Sequence, residues 1–205
     1  MHAKRQTINK SWPIPRKGTK YVIVASHDKN RGIPLLVILR DILKLASNRR
    51  EIRKILQDKL VSVNWKVRRE ENFAVLPFDI LKIGEKNYEL RFSEKGMLEA
   101  KETNRKDIIL KVVDKKTLKK KTQLNLLYGR NILTDKEVKV GDSVVIKEKK
   151  IEKVLNLEKG KEAIIFAGKY TGRKGKIDKI EEKTVFISSK DEKVNVPIKN
   201  IMVIN

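Results

Sequence analysis

Helical periodicity occupies one short stretch of this chain, residues 34 to 58, and almost everything after it alternates with the period of a strand. A chain patterned this way builds small β units around a single helical pair, giving an α+β, multi-module fold rather than a bundle or a doubly wound sheet. "PLLVILRDILKLA" sets Leu35, Leu36, Leu39, Ile42 and Leu43 at spacings that share one helical face, and "SNRREIRKILQD" restarts the period with Ile52, Ile55 and Leu56 inward. Asn48 and Glu51 stand at the spacing of a capping box. "VSVNWKVRR" predicts a hairpin with Val61, Val63 and Val67 on one face and Asn64-Trp65 at the turn. Trp65 is unusual where a turn favours glycine; its ring either packs on a neighbouring element or stands out to stack on a base.

Between residues 78 and 150, "FDILKI", "YELRF", "DIILKVV", "QLNLLYG" and "DSVVIKE" read as short strands. "EAIIFA", "KGKIDKI", "TVFISS" and "VNVPIKNIMVI" then read as the strands of a small C-terminal barrel. The expected division is a basic arm over 1–33, the two-helix plus hairpin module over 34–83, a small central β domain over 84–156 and the barrel over 157–205. Apolar residues are 40% of the chain but aromatics only 5%, which suits several small cores better than one large one.

Charge narrows the function. Lysine and arginine number 49 against 26 acids, a net charge of +23 spread over the whole length, which points to a polyanionic partner. The first 32 residues carry eight cations, among them Lys4, Arg5, Lys10, Arg16 and Lys17, against Asp28 alone. The prolines of "SWPIPRKG" forbid a regular helix there, so an extended arm ordered mainly by its partner is expected, with a tail of no specific contacts as the alternative. On the second helix Arg49 and Arg53 stack at i, i+4, as do Arg50 and Lys54. Only Glu51 stands nearby in sequence, and like charges so placed repel unless an anion arrives. Lys66, Arg68 and Arg69 extend this surface, and Arg40 and Asn48 complete it. "KKTLKKK" at 115–121 is either a solvated loop or a phosphate contact.

The loop "GKYTGRKGKI" at 168–177 invites a test as a nucleotide site. A phosphate-cradling P-loop needs four residues between its first glycine and a Gly-Lys pair, then Ser or Thr; here three residues separate Gly168 from Gly172, and Ile177 follows Gly175-Lys176. The dinucleotide fingerprint fails as well, because no helical period follows. There is no cysteine, and the two histidines, His2 and His27, share the basic N-terminal segment. Thiolate chemistry and thiolate metal sites are excluded, and no catalytic constellation emerges, so no enzyme, metal or cofactor is expected. The longest apolar run, "IPLLVIL", is far too short to cross a bilayer. A cytoplasmic protein without membrane or small-molecule partners is the expectation.

"LRDILKLASNRREIRKILQDKLVSVNWKV" resembles the S-four-type RNA-binding module, two helices and a hairpin, through Arg40, Asp41, Ala46, Ser47, Arg49, Arg53 and "VSVN". It departs from that pattern at Lys59 and Trp65, where glycines commonly end the second helix and make the turn. "EKGKEAIIFAGKYTGRKGKI" is similar to the KOW motif of a small SH3-like barrel. Their order, with "SWPIPRKG" and "QLNLLYGRNIL", resembles the archaeal and eukaryotic small-subunit ribosomal protein S-four family over essentially the whole chain. Without the eukaryotic members' C-terminal extension, it looks like an archaeal-type member.

The resemblance implies a non-catalytic ribosomal component that binds small-subunit ribosomal RNA and neighbouring ribosomal proteins in the cytoplasm. Lys169, Arg173, Lys174 and Lys176 would then meet phosphates on a loop turned by Gly168, Gly172 and Gly175. The rival readings are a KOW-containing transcription elongation factor and a non-catalytic relative of an RNA-modifying enzyme.

Overall fold

A computed structural model describes residues 2–118, 121–148, 150–189 and 192–205. Lys119 and Lys120 of the lysine-rich stretch lie outside them. The chain divides into two compact units, Met1–Lys106 and Asp107–Asn205.

In the first unit the leading helix, α1, is α-helical over Leu35–Val37 and continues as a π-helical turn over Ile38–Ile42. The Leu43 and Leu45 amides donate to the Ile38 and Leu39 carbonyls, both at 2.9 Å. The expected one-sided stripe is corrected: Leu35 to Leu39 are all buried, because so short an apolar helix is enclosed on every side. The second helix, α2, spans Arg49–Gln57 and buries Ile52 and Leu56. Asn48 Oδ1 accepts from the Glu51 amide at 3.0 Å. The Glu51 carboxylate accepts from the Ser47 amide at 2.8 Å, so the capping box closes one residue further back than its usual form.

Both departures from glycine are absorbed by the backbone. Lys59 takes φ 60°, and its amide and that of Leu60 donate to the Leu56 and Ile55 carbonyls at 3.2 and 3.4 Å, the two bonds of a Schellman ending. Asn64 and Trp65 take φ 49° and 65°, as a type I′ hairpin turn requires. Each L-residue in this left-handed region costs about 1–2 kcal/mol relative to a relaxed backbone. Trp65 is 37% exposed.

The turn also fixes the register, and here an expectation is corrected. Val63 pairs with Lys66 and Ser62 with Val67. Val67 therefore shares the outer face with Ser62 and is exposed, while Val61 and Val63 are buried.

Strands Lys66–Val67, Val61–Val63, Ile80–Ile83, Lys86–Phe92 and Leu98–Glu102 form one antiparallel sheet in that order. Leu81, Leu90 and Leu98 join Ile52, Leu56 and the α1 leucines in a single core. The boundary expected at 83/84 thus falls in the turn between two paired strands of this sheet.

The N-terminal expectation is also corrected. Residues His2–Lys4 pair antiparallel with Tyr21–Ile23, and Trp12 is buried in the same core with Val22. An apolar anchor, absent from a purely basic arm, holds the segment down.

Among its described residues the second unit forms two antiparallel sheets. The first runs Arg130–Thr134, Thr122–Leu126, Ile108–Thr117, Ser143–Lys147, Lys150–Leu155. The second runs Glu192–Pro197, Thr184–Ser189, Lys174–Ile180, Glu162–Ile165, Ile201–Val203. They share apolar packing, since Leu155, Ile109 and Val145 meet the core of the second sheet. Polar bonds cross as well: the Val203 amide donates to Ser143 Oγ at 3.0 Å, and buried Lys111 donates through Nζ to the Ile198 carbonyl.

Desolvation lowers the Lys111 ammonium from its ordinary 10.5 to about 8. Between those values the unfolded chain keeps a proton that the folded chain has released, so stability rises with pH across this window, by up to about 3 kcal/mol. Urea unfolding of the second unit at pH 7.5 and pH 10.5, with and without Lys111→Met, measures this; the rise is expected to vanish in the variant.

Candidate nucleic-acid interface

The α2 cations separate into two pairs with different surroundings. Arg49 and Arg53 both turn toward Glu71, which follows the hairpin. Arg49 Nε reaches Glu71 Oε2 at 2.8 Å and its NH2 reaches Oε1, while Arg53 NH2 reaches Oε1 at 3.1 Å. The expectation that only Glu51 balances this helix is therefore corrected, because the balancing acid arrives from a distant position in sequence. Among the described residues neither guanidinium engages its NH1 group, which leaves it for another acceptor. Arg50 and Lys54, one turn apart on the neighbouring face, are exposed, and among the described residues they have no ion-pair partner.

The Arg49 hydrogen bond, with a smaller contribution from Arg53, lowers the Glu71 carboxyl to about 2. The folded chain gains from this pairing above the ordinary carboxylate value of 4.5 and loses the gain as pH falls from there toward 2. With both arginines about half exposed, solvent reduces the contribution to about 1 kcal/mol. Glu71→Gln is expected to remove that acid-side loss in thermal melts between pH 5 and pH 2.5.

The other candidates divide similarly. Arg68 lies over the Phe73 ring at 4.1 Å, and its buried Nε has no partner among the described residues. Its amide donates to the Val61 carbonyl at 3.0 Å across the hairpin, and the residue is half-buried. Arg40 forks onto Asp41 through two 2.9 Å bonds, and Asn48 serves as the helix cap. Arg5 donates to the Pro15 and Thr19 carbonyls and to Thr19 Oγ1 at 2.7 to 2.8 Å. Lys4, Lys10, Arg16, Lys17, Lys66 and Arg69 remain exposed.

In the second unit, the opening turn of the 168–177 loop has Gly168 at φ 98° and Gly172 at φ 92°. Two cations lie near the Tyr170 ring, Lys169 Nζ at 5.6 Å and the Arg173 guanidinium at 5.2 Å from its centroid. Arg173 NH1 also pairs with Glu192 at 2.6 Å. Lys174 and Lys176 project from the following strand and are exposed. Gly175 has a different reason to be glycine, since a Cβ there would come within 2.6 Å of Ile187 Cγ2 and closer still to the Ser188 carbonyl oxygen.

Two kinds of recognition element, a helix-and-hairpin module and a glycine-turned basic loop, thus stand on separate units of one strongly basic chain. Family models match both: an S4 domain at residues 33–81 and a KOW motif at residues 159–190. Between them, "Ribosomal family S4e" matches residues 84–153. Small ribosomal subunit protein eS4 of Archaeoglobus fulgidus is 38% identical over 186 residues, covering 86% of this chain and 79% of the relative. The eS4 of Methanosphaera stadtmanae is also 38% identical, over 88% of this chain and 79% of its own length.

The chain belongs to the ribosomal S4e family.

The crystal structure of the 30S ribosomal protein S4e from Thermoplasma acidophilum superposes with a TM-score of 0.74 at 30% identity, covering 86% of this chain and 96% of that one. The S4 and S4e matches meet between residues 81 and 84, within the five-stranded sheet of the first unit. Family segments and compact units therefore divide this S4e chain at different places. Among the described residues no group of acids and histidines is placed to hold a metal ion, and no helix is long and apolar enough to cross a membrane. Sequence reasoning missed Glu71 and Lys111, whose roles depend on contacts far along the chain. Tyr21, 53% exposed beside the N-terminal basic segment, was visible in the sequence as an aromatic among lysines.

Proposed function

We propose that this chain is a structural constituent of the small ribosomal subunit, a cytoplasmic RNA-binding protein that acts without catalysis. The observation that carries this reading is that S4, S4e and KOW segments follow one another in a chain spanning about four fifths of its eS4 relatives. Its charge of +23 supplies the long-range attraction to a polyanion. Arg50 and Lys54 on α2, Lys66 and Arg69 by the hairpin, and Lys174 and Lys176 in the KOW segment are the foremost phosphate contacts, because among the described residues no acid pairs with them. Arg49, Arg53 and Arg173 contribute the donors their carboxylates leave free. Ribosomal RNA is held by its backbone and shape, since an A-form helix hides its major-groove edges. Neighbouring ribosomal proteins complete the site.

The test is binding of the full chain to small-subunit ribosomal RNA, with cosedimentation in reconstituted subunits. Replacing Arg50 and Lys54 by Ala is expected to weaken binding across RNA sequences and to reduce the log–log salt slope by roughly 2, one unit per lost phosphate contact. An unchanged slope would remove α2 from the contact surface. Cosedimentation with polymerase instead of subunits would favour the elongation-factor reading.

A further inference from the structure

Between the N-terminal segment and the helical pair, wholly inside the first unit, lies an open cavity of about 450 Å³. Four cationic residues line it, Arg5, Lys17, Arg40 and Arg49, against one carboxylate, Asp41, which Arg40 already holds in its fork. The rest of the wall is largely apolar and includes Ile14, Pro15 and Tyr21 of the N-terminal segment and Leu36 of α1.

The cavity is built rather than incidental. Arg5 ties the 15–19 loop to the first strand by three hydrogen bonds from one guanidinium. Gly18, at φ 139°, lets that guanidinium approach; a Cβ there would lie 3.2 Å from Arg5 NH2. Lys17 belongs to that tied loop and is exposed, and Tyr21 is set by its strand pairing with Lys4. Across the cavity the π-helical turn presents Arg40 and Asp41, and interruptions of this kind are frequent at binding sites.

We propose that this cavity receives a single unstacked nucleotide of the bound RNA. Lys17 and the free NH1 group of Arg49 meet its phosphate, and its base lies against Tyr21, Pro15 and Ile14. The inference rests on the RNA-binding reading above and adds a specific subsite to it. A bare phosphate has no use for an apolar wall, whereas an extruded base needs one, commonly with an aromatic ring to stack on. The volume lies within the roughly 300–1,000 Å³ common for small-molecule sites.

The experiment uses the isotopically labelled full chain and follows the amide signals of residues 17–23, 40 and 41. Adenosine, guanosine, cytidine and uridine 5′-monophosphates are added separately, and inorganic phosphate in a parallel titration. Saturable shifts are expected with the nucleotides, about tenfold tighter than with phosphate. Lys17→Ala with Tyr21→Ala is expected to weaken both nucleotide binding and affinity for small-subunit ribosomal RNA by about tenfold. Lys17→Glu, at the exposed loop, serves as the second variant if the double one fails to fold.

Equal responses to phosphate and nucleotides would overturn the proposal in favour of a simple anion site. So would silent signals, or variants that bind ribosomal RNA like the wild type, in a chain whose RNA binding remains salt-dependent; the ribosomal reading would then stand without this subsite. A wild-type chain that binds no ribosomal RNA would remove both.

Discussion

Raising the salt from about 50 to about 200 mM is expected to weaken binding to small-subunit ribosomal RNA by roughly 10³–10⁵, if 6–10 phosphates are neutralised. The figure follows from counterions released when lysines and arginines displace them from the RNA backbone, and the log–log slope should lie between about −5 and −9. The structure bears on where in that range it falls. Arg49 and Arg53 share Glu71, Arg40 holds Asp41, Arg68 lies on Phe73 and Arg5 is turned onto the 15–19 loop. Carboxylates thus balance part of the charge of Arg40, Arg49 and Arg53, whereas Arg5 and Arg68 keep theirs but are turned onto neutral groups of the protein. The exposed set, from Lys4 through Arg50 and Lys54 to Lys176, carries the main dependence. Filter binding or fluorescence anisotropy across five salt concentrations gives the slope, and binding indifferent to salt would contradict the electrostatic mechanism.

The second large effect is expected from one methyl group. Gly175 lies in the strand Lys174–Ile180, opposite Ala163. An added Cβ would press on Ile187 Cγ2 and on the Ser188 backbone, neither of which can swing aside as a long flexible side chain does. Gly175→Ala should therefore destabilise the second unit by about 3 kcal/mol, the upper part of the range for overpacking. Both tryptophans, Trp12 and Trp65, lie in the first unit, so their fluorescence follows that unit alone. Amide signals of Ile164, Ile177 and Ile187 follow the second. The expected outcome is an earlier urea transition at the isoleucines with the tryptophan transition unmoved. An unchanged isoleucine transition would mean that the two strands separate more easily than their packing implies.

Local patterns were legible in the sequence because they depend on neighbours. The Asn48 cap, the buried Ile52 and Leu56, and the turn at Asn64-Trp65 all follow from spacing. The strands around Leu81, Leu110, Val144 and Ile187 follow from alternation. Three strands, Leu98–Glu102, Arg130–Thr134 and Lys150–Leu155, carry too little apolar alternation to announce themselves, and each lies at an edge of its sheet. Val67 lies on the outer face because the two-residue turn pairs it with Ser62, which breaks the alternation a continuous strand would carry. The folded state of the N-terminal segment hung on Trp12, a single apolar residue among many charges. As for the interface, sequence identified its cations, but not which of them have partners: Glu71 is separated from Arg49 by 22 positions.

The sheet that runs past residue 83 also bears on how the chain is made. Synthesis proceeds from the N-terminus at about 5–20 residues per second, and α1, α2 and the hairpin emerge well before Leu90 and Leu98. Those two leucines are fully buried against the helices, so the first unit stays open on one side until they arrive. From Leu81 to Leu98 that interval is about one to three seconds. During it the nascent helical pair exposes apolar surface beside its arginines, and RNA met in that window finds a module whose basic face precedes its finished core.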